Sequence, residues 1–487
     1  MTPSWNRGRL QALIRQGLGD LPLILASNRQ PWIHSSRNGA VVAERPASGM
    51  VTALEPLAEA SGGTWIAHGS GTADRRCVDA GDGVAVPPDQ PRYRLRRIWL
   101  SDAECDGYYN NLANRGLWPL CHVAFVPPLC DPEHWHTYRL VNQRFAEAVL
   151  QEAGDGPALV FLQDFHLALV APILRRANPL LTLVQFWHVP WPNLELLLRT
   201  FPYADELVEG LLGNDLLGFQ IPAHAANFHQ AATQVGGGGH PTRVATYPIS
   251  IDYDHWNQLA ACPAVETAMG RWRQRLGAIQ PDLLGVGMDR LDYTKGLPQR
   301  LRAVDQLLLQ RPDLRGRFRF VQQLANSRSH ICEYGALHAE LEALAEEINR
   351  RWGDGHWQPV LLCSERCELT DLIALQRLGR FCLVSSLHDG MNLVAKEFVA
   401  ARIDGDGVLI LSRFAGSALE LGGALQVNPF SEEELATAMA IALAMPQPER
   451  QRRMALMRSQ VAEHNVYRWG GQILSDSIAL VPLAAHG

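Results

Sequence analysis

The sequence predicts an α/β protein of two domains with a cleft between their strand ends, and three observations carry that prediction. Short apolar runs recur along the 487 residues. Helical patterns fill the gaps between them. One extended segment, Y-P-I-S-I-D-Y at 247–253, interrupts the alternation and sets a domain boundary. The runs are Leu21–Ala26, Ala158–Leu162, Leu181–Trp187, Leu216–Phe219, Leu283–Gly287, Phe318–Val321, Val360–Cys363, Phe381–Val384 and Val408–Leu411. Most lack polar alternation, the pattern of parallel strands covered on both faces. Arg319 interrupts Phe318–Val321, which reads as an edge or a strand end. His338–Arg351 carries Leu341, Leu344 and Ile348 at helical spacing and shows what lies between runs.

The remaining stretches fit around this frame. Residues 62–132, rich in Gly, Pro, Asp and Trp, read as an insertion of irregular strands and loops. Gly236–Gly239 lacks the Gly-Lys-Ser/Thr of a phosphate loop and reads as a flexible connection. The last helix, about Gln451 to Ser477, looks polar enough to lie on a surface.

Composition excludes several classes. Hydrophobic residues make up 47% and charged residues 19%, as in ordinary globular proteins. A net charge of -6 argues against general nucleic-acid binding. No apolar run approaches the roughly 18 residues of a membrane span, and no secretory leader is evident. The nine cysteines are scattered, and Cys363 and Cys367 have no second pair to complete a zinc site. The expectation is a cytoplasmic protein with free thiols.

Ligands of parallel sheets bind beyond the carboxyl ends of the strands, so polar residues there are the candidates. D-G-M-N-L-V-A-K-E at 389–397 joins the strand Phe381–Val384 to a helix. Free N–H groups and the helix dipole make such a start an anion site, here beginning at Asp389, with Glu397 further in. Arg290 and Lys295 follow the strand Leu283–Gly287 and suit a diphosphate; a solvated loop paired to Asp289 or Asp292 is the alternative. Asp164 and His166 end one strand and His188 another, beside Trp187 and Trp191, a pairing of polar and aromatic groups that suits a sugar. Arg29 and Arg328 follow strands in different halves and would suit a second phosphate. Tyr108, Tyr109 and Trp118 lie in the insertion, and Ser48-Gly49 forms a small-residue loop before a helix. Asp404-Gly405-Asp406 resembles a two-aspartate metal pattern but reads better as a polar turn, so no metal is expected. No Gly-x-Gly-x-x-Gly opens the first helix, which argues against a dinucleotide cofactor.

The motifs S-N-R at 27–29, Y-Y-N at 108–110, L-W-P at 117–119, Q-D-F-H at 163–166, H-V-P-W-P at 188–192, L-L-G-F at 216–219, Y-P-I at 247–249, R-L-D-Y-T-K-G at 290–296, S-R at 327–328, D-G-M-N-L-V-A-K-E at 389–397 and S-R-F-A-G at 412–416 come in one order. From about residue 21 to 475 the chain resembles the trehalose-6-phosphate synthases, retaining glycosyltransferases of family 20. The resemblance implies two Rossmann-like domains facing across a cleft, the GT-B architecture. Residues 1–250 would bind the acceptor and 251–470 the nucleotide sugar, with 471–487 packing back on the first domain. It implies donor binding by Ser48, Gly49, Arg290, Lys295, Cys367, Asp389, Leu393, Val394, Ala395, Lys396 and Glu397. It implies acceptor binding by Arg29, Tyr109, Trp118, Asp164 and Arg328. Asp164, His188, Arg290 and Lys295 would be the catalytic set. No cofactor is implied. The partners are a nucleotide-sugar donor and a sugar-phosphate acceptor, not nucleic acid or membrane, and a separate phosphatase would act on the product; homo-oligomerisation stays open.

The implied reaction moves glucose from a nucleotide-glucose, UDP-glucose being expected over GDP- or ADP-glucose, to glucose 6-phosphate. Transfer of glucose to glycerol 3-phosphate and an inactive regulatory relative are the alternatives. The chain departs from the family at Ser48-Gly49-Met50, where Gly-Gly-Leu is usual, at Gln163-Asp164-Phe165-His166, where His-Asp-Tyr-His is usual, and at Cys367, often a larger residue.

Overall fold

A computed structural model describes residues 5–46, 49–236, 241–277, 283–325 and 332–482. The chain divides into two compact units: Met1–Ile249 with Val466–Gly487, and Ser250–Asn465. Each is a parallel sheet with helices between its strands. The return to the first unit begins at Val466, ahead of residue 471.

The first unit contains β1 (Leu23–Ser27), β2 (Ile33–Arg37), β3 (Ala40–Glu44), β4 (Thr64–His68), β5 (Gly83–Val86), β6 (Tyr93–Ile98), β7 (Leu159–Gln163), β8 (Thr182–Trp187), β9 (Leu216–Phe219) and β10 (Arg243–Thr246). Its main sheet runs β10-β9-β8-β7-β1-β4-β6-β5, and β2 and β3 form a separate hairpin. Only β5 is antiparallel to its neighbour. The chain leaves β1 toward β4 and β6, then returns to β7 on the other side of β1. The crevice between the ends of β1 and β7 is therefore the point where strand order reverses, the place such sheets bind ligands.

The stretch 62–132 is more regular than its composition predicts. It supplies β4, β5 and β6, three strands of the main sheet. It then forms a π-helix, Cys105–Leu117, an uncommon element that often marks functional positions. In β6 (Y-R-L-R-R-I) Arg97 is buried, although charged residues argue against a core strand. Its charge is met by Asp74 at 3.0 Å, also fully buried.

The second unit contains β11 (Leu284–Arg290), β12 (Arg319–Ala325), β13 (Val360–Cys363), β14 (Phe381–Val384), β15 (Val408–Ser412) and β16 (Leu425–Val427). They are parallel in the order β13-β12-β11-β14-β15-β16. Here the order reverses between β11 and β14. β12 is an interior strand, not an edge. Arg319 is accommodated because its guanidinium reaches the Gln358 and Leu276 carbonyls at the start of the strand. Apolar side chains cover both sheet faces: Val286, Val384 and Leu411 belong to one cluster, and Phe320, Phe381 and Ile410 to the other. Burial on both faces is why these runs show no alternation.

The final helical stretch is two helices, Gln447–Glu463 and Val466–Ile478, broken at His464 and Asn465. The second is not a surface helix. It buries Trp469, Ile473 and Leu474, with Trp469 edge-on to Phe186 at 5.3 Å.

Candidate functional site: two strand-end clusters

In the first unit the cluster forms beyond β1, β7 and β8. The Ser27 hydroxyl accepts from Trp65 Nε1 at 2.8 Å and donates to the Arg29 carbonyl at 2.7 Å. Gln30 lies across a buried ion pair: Nε2 donates to Asp74 at 2.6 Å, and Oε1 accepts from Arg97 at 2.9 Å. Arg29 is thus fixed from both sides along the backbone. Its guanidinium reaches Tyr109 Oη at 3.4 Å. The Tyr109 ring stacks on His166 with centroids 5.8 Å apart, and His166 Nδ1 lies 4.0 Å from Asp164 Oδ2.

Asp164 has φ 67°, in the left-handed region that is unfavourable for any residue with a Cβ. Three contacts to β8 and its end hold it there. Its N–H donates to the Phe186 carbonyl at 2.7 Å, its carbonyl accepts from Gln185 Nε2 at 3.1 Å, and Oδ1 accepts from the His188 N–H at 3.1 Å. Burial pushes its carboxyl up to about 7, against the pull of the Phe165, His188 and Val189 N–H groups and of Arg29. His188 is affected in the opposite sense: burial pushes its imidazole down to about 3, so the ring is neutral. Trp118 opens the short helix Trp118–Cys121. Its ring packs on His122 at 4.0 Å and on Phe165 at 6.2 Å.

The second cluster forms where strand order reverses in the second unit. Arg290 is the last residue of β11, half-buried and in register with Ala325. Asp292 caps the following turn through the Thr294 N–H, and Gly296 ends it at φ 63°. A Cβ at Gly296 would sit 2.2 Å from the Ser385 carbonyl, so only glycine fits. Lys295 Nζ contacts Asp389 Oδ2 at 2.5 Å. The same oxygen accepts from Ser386 Oγ and Asn392 Nδ2, each at 3.1 Å. Asn392 caps the helix Leu393–Ala401 through the Ala395 N–H. Lys295 therefore joins the β11 end to the helix start, and its partner is Asp389, neither Asp289 nor Asp292.

Asp289 instead pairs with Arg300, fully buried, at 2.7 Å. Arg300 also donates to Gln322 Oε1 at 2.7 Å and to Ser385 Oγ at 3.0 Å. It ties the end of β11, the middle of β12 and the residue after β14 together. This clamp escapes sequence reading because Arg300 lies inside the helix Leu297–Gln310, where an arginine normally reads as a solvated face.

The candidates divide as follows. Arg29, Tyr109, Asp164 and His188 come together in the first unit, with Trp118 joined through Phe165. Lys295 and Asp389 come together in the second, with Arg290 at the end of β11 and Leu393 and Val394 partly exposed at the helix start. Ala395 is buried and offers its N–H to the Asn392 cap. Glu397 is half-buried and makes no hydrogen bond or ion pair among the described residues; burial raises its carboxyl to about 7. Cys367 Sγ lies 3.5 Å from Gln323 Oε1, its thiol pushed up to about 11 by burial. The Lys396 ammonium turns into a buried pair with Glu420 at 2.6 Å, which leaves its backbone, not its side chain, to face the helix start. Gly49 lies exposed in the first turn of the helix Gly49–Ser61, so it belongs to the helix and not to a loop before it. Ser48 and Arg328 lie outside the described residues, as do Gly237, Gly238 and Gly239.

No group of three or more metal-ligating side chains occurs among the described residues. Asp404 and Asp406 are each gripped by two nitrogens of an arginine, Arg402 and Arg450. No helix among the described residues is long and apolar enough to cross a membrane.

The family model for glycosyltransferase family 20 matches residues 22–478. A trehalose-6-phosphate synthase of Mycolicibacterium vanbaalenii is 37% identical over 484 residues, covering 95% of this chain and 96% of the relative. An α,α-trehalose-phosphate synthase (UDP-forming) from Burkholderia vietnamiensis has a solved structure with TM-score 0.84 and 31% identity, covering 94% of this chain and 100% of that one. An Escherichia coli structure bound with UDP-2-fluoro glucose has TM-score 0.84 and 30% identity, covering 95% and 100%. A Burkholderia xenovorans synthase in complex with glucose-6-phosphate has TM-score 0.82 and 31% identity, covering 94% and 99%. The two parallel-sheet units are those of the GT-B fold class. The chain belongs to glycosyltransferase family 20, and it is a glycosyltransferase.

Proposed function

We propose that the chain transfers glucose from a nucleotide-glucose, UDP-glucose in the first place, to O1 of glucose 6-phosphate, giving α,α-trehalose 6-phosphate with retention. The observation that carries the reading is the Lys295–Asp389 contact at the point of strand reversal, beside Arg290 and an open helix start. An ammonium has three N–H donors, so Lys295 can keep Asp389 and still meet a diphosphate. Arg290 adds a fork and the helix start adds free N–H groups. Glu397, with no hydrogen-bond or ion-pair partner among the described residues, suits ribose hydroxyls. In the first unit Arg29 and Tyr109 suit the acceptor phosphate, and Asp164 suits its hydroxyls. The relatives bound with UDP-2-fluoro glucose and with glucose-6-phosphate support the two substrate classes.

Retaining glycosidases use two carboxylates about 5–5.5 Å apart. Among the described residues no second carboxylate contacts Asp164, and Asp164 is committed to backbone N–H groups. The mechanism we favour is front-face attack. The acceptor hydroxyl approaches the anomeric carbon on the side the diphosphate leaves, and a diphosphate oxygen takes its proton. Arg290, Lys295 and the helix start then stabilise the charge growing on the diphosphate. We assign the reaction to the cytoplasm, in keeping with eight described cysteines that are all free. A separate phosphatase would release trehalose.

The test is a matrix of UDP-, GDP- and ADP-glucose against glucose 6-phosphate and glycerol 3-phosphate, read as product and released nucleoside diphosphate. The expected outcome is trehalose 6-phosphate, with UDP-glucose fastest. Product from glycerol 3-phosphate alone would refute the acceptor.

A further inference from the structure

We propose that Gln163 is a positioning residue that sets the tautomer of His188, so that His188 Nδ1 accepts a hydrogen bond and the donor sugar must present a hydroxyl to it. This rests on the proposed function, with His188, a member of the catalytic set that the resemblance implies, facing the transferred glucose.

Three contacts hold His188. Its N–H donates to Asp164 Oδ1 at 3.1 Å, its carbonyl accepts from Gln220 Nε2 at 3.4 Å, and its ring Nε2 lies 2.9 Å from Gln163 Oε1. An amide oxygen can only accept, so the ring carries its hydrogen on Nε2. The surroundings are apolar, with Phe186 edge-on at 4.7 Å and Trp469 at 6.5 Å. Asp164 meets the backbone N–H, with Arg29 acting on Asp164. In these surroundings the ring stays neutral and has one N–H to place. With that hydrogen on Nε2, Nδ1 keeps its lone pair. Among the described residues the ring makes no other hydrogen bond, and it is half-buried between the buried Trp187 and Val189.

Gln163 is itself fully buried, and its Nε2 has no partner among the described residues. A neighbouring set of buried amides fixes the strand ends around it. Asn214 donates to Gln185 Oε1 at 3.1 Å, Gln185 donates to the Asp164 carbonyl, and Gln220 Oε1 accepts from the Ile249 N–H at 3.0 Å. Turning the Gln163 amide over would move the ring hydrogen to Nδ1 and make His188 a donor, the opposite selectivity.

The experiment uses the full chain labelled with ¹⁵N. Histidine ring spectra are recorded without substrate, and the His188 signals are identified as those missing from His188→Gln. The wild type should show hydrogen on Nε2. Gln163→Leu should mix the tautomers and lower kcat/KM for the nucleotide-glucose about tenfold, a typical loss for one hydrogen bond to a buried group, with KM for glucose 6-phosphate within about twofold. Gln163→Glu, which accepts the same hydrogen, should restore the tautomer and most of the rate. Hydrogen on Nδ1 in the wild type overturns the proposal. So does an unchanged tautomer in Gln163→Leu, or a changed tautomer with unchanged donor kinetics. Failure of the wild type to glucosylate glucose 6-phosphate would defeat the functional reading instead, and the spectra, needing no substrate, would still judge Gln163.

Discussion

Lys295 contacts Asp389 at 2.5 Å, and both side chains are nearly buried. Removing Lys295 deletes a cation and leaves Asp389 facing the helix start without its ammonium partner, its Oδ2 still accepting from Ser386 and Asn392. Arg290→Ala and Lys295→Ala should each lower kcat by about 10²–10³-fold, the scale seen when one preorganised group that stabilises developing charge is lost. Circular dichroism should show both variants folded, and near-normal turnover in both would end the assignment. Asp164 makes a different prediction. Its carboxyl sits at about 7 when folded, against about 3.9 in an unfolded chain. Between those values the folded state holds the extra proton, so stability falls as pH rises through the window and the loss is complete above about 7. Asp164→Asn has no proton to lose there. Scanning calorimetry from pH 4 to 8 should show the wild-type Tm declining relative to this variant, and a constant difference between them would refute the shift. Glu397, also near 7, acts with the same sign in both proteins and cancels from the comparison.

At the scale of elements, both candidate clusters depend on strands being tied just beneath their ends. Arg300 reaches Asp289 near the end of β11, Gln322 within β12 and Ser385 just after β14. Arg300→Leu leaves Asp289 as an unpaired buried carboxylate, a change that costs about 3–5 kcal/mol. The Tm should fall sharply, and the double variant Asp289→Leu/Arg300→Leu should recover part of the loss. If the double variant is the less stable one, the pair is not the source of the effect. Gly296→Ala should also lower the Tm by several degrees, since a left-handed residue with a Cβ costs about 1–2 kcal/mol before any clash with Ser385. The nine apolar runs were legible because their strands are covered on both faces, a condition that writes itself into composition. Strand β6 was not, because Arg97 stands where an apolar residue is expected and only its pairing with Asp74 explains it. The π-helix Cys105–Leu117 bonds i to i+5 and does not turn with the 3.6-residue period, so the placement of Tyr109 against Arg29 could not be read from spacing. Arg29, Asp164, Arg290 and Asp389 were legible because each ends or follows a strand. The direction of a side chain was not: Lys396 lies one residue from Glu397 yet faces Glu420.

For the molecule as a whole, the two clusters belong to different units, and each should answer to its own ligand. In hydrogen exchange on the full chain, a nucleoside diphosphate should slow the amides of 291–296 and 393–397. Glucose 6-phosphate should slow those of 28–30 and 165–167. Ligand binding stabilises in proportion to occupancy, so protection should rise with concentration. An exchange of the two patterns would reverse the assignment of donor and acceptor. The helix Val466–Ile478 carries a further consequence, for synthesis. Gly471 lies so close to Trp5 that a Cβ would fall 2.2 Å from its ring, a Cβ at Gly470 would fall 2.6 Å from Leu57, and Trp469 covers Phe186. A ribosome making this chain delivers β1 to β10 first and the helix that closes over them last, after the whole of Ser250–Asn465 has emerged. During that interval the β8 surface beneath Trp469 stays open to water and to other nascent chains, and the second unit can be complete while the first is not. A stop codon at residue 466 would therefore do its damage at the opposite end of the message, in the part translated earliest.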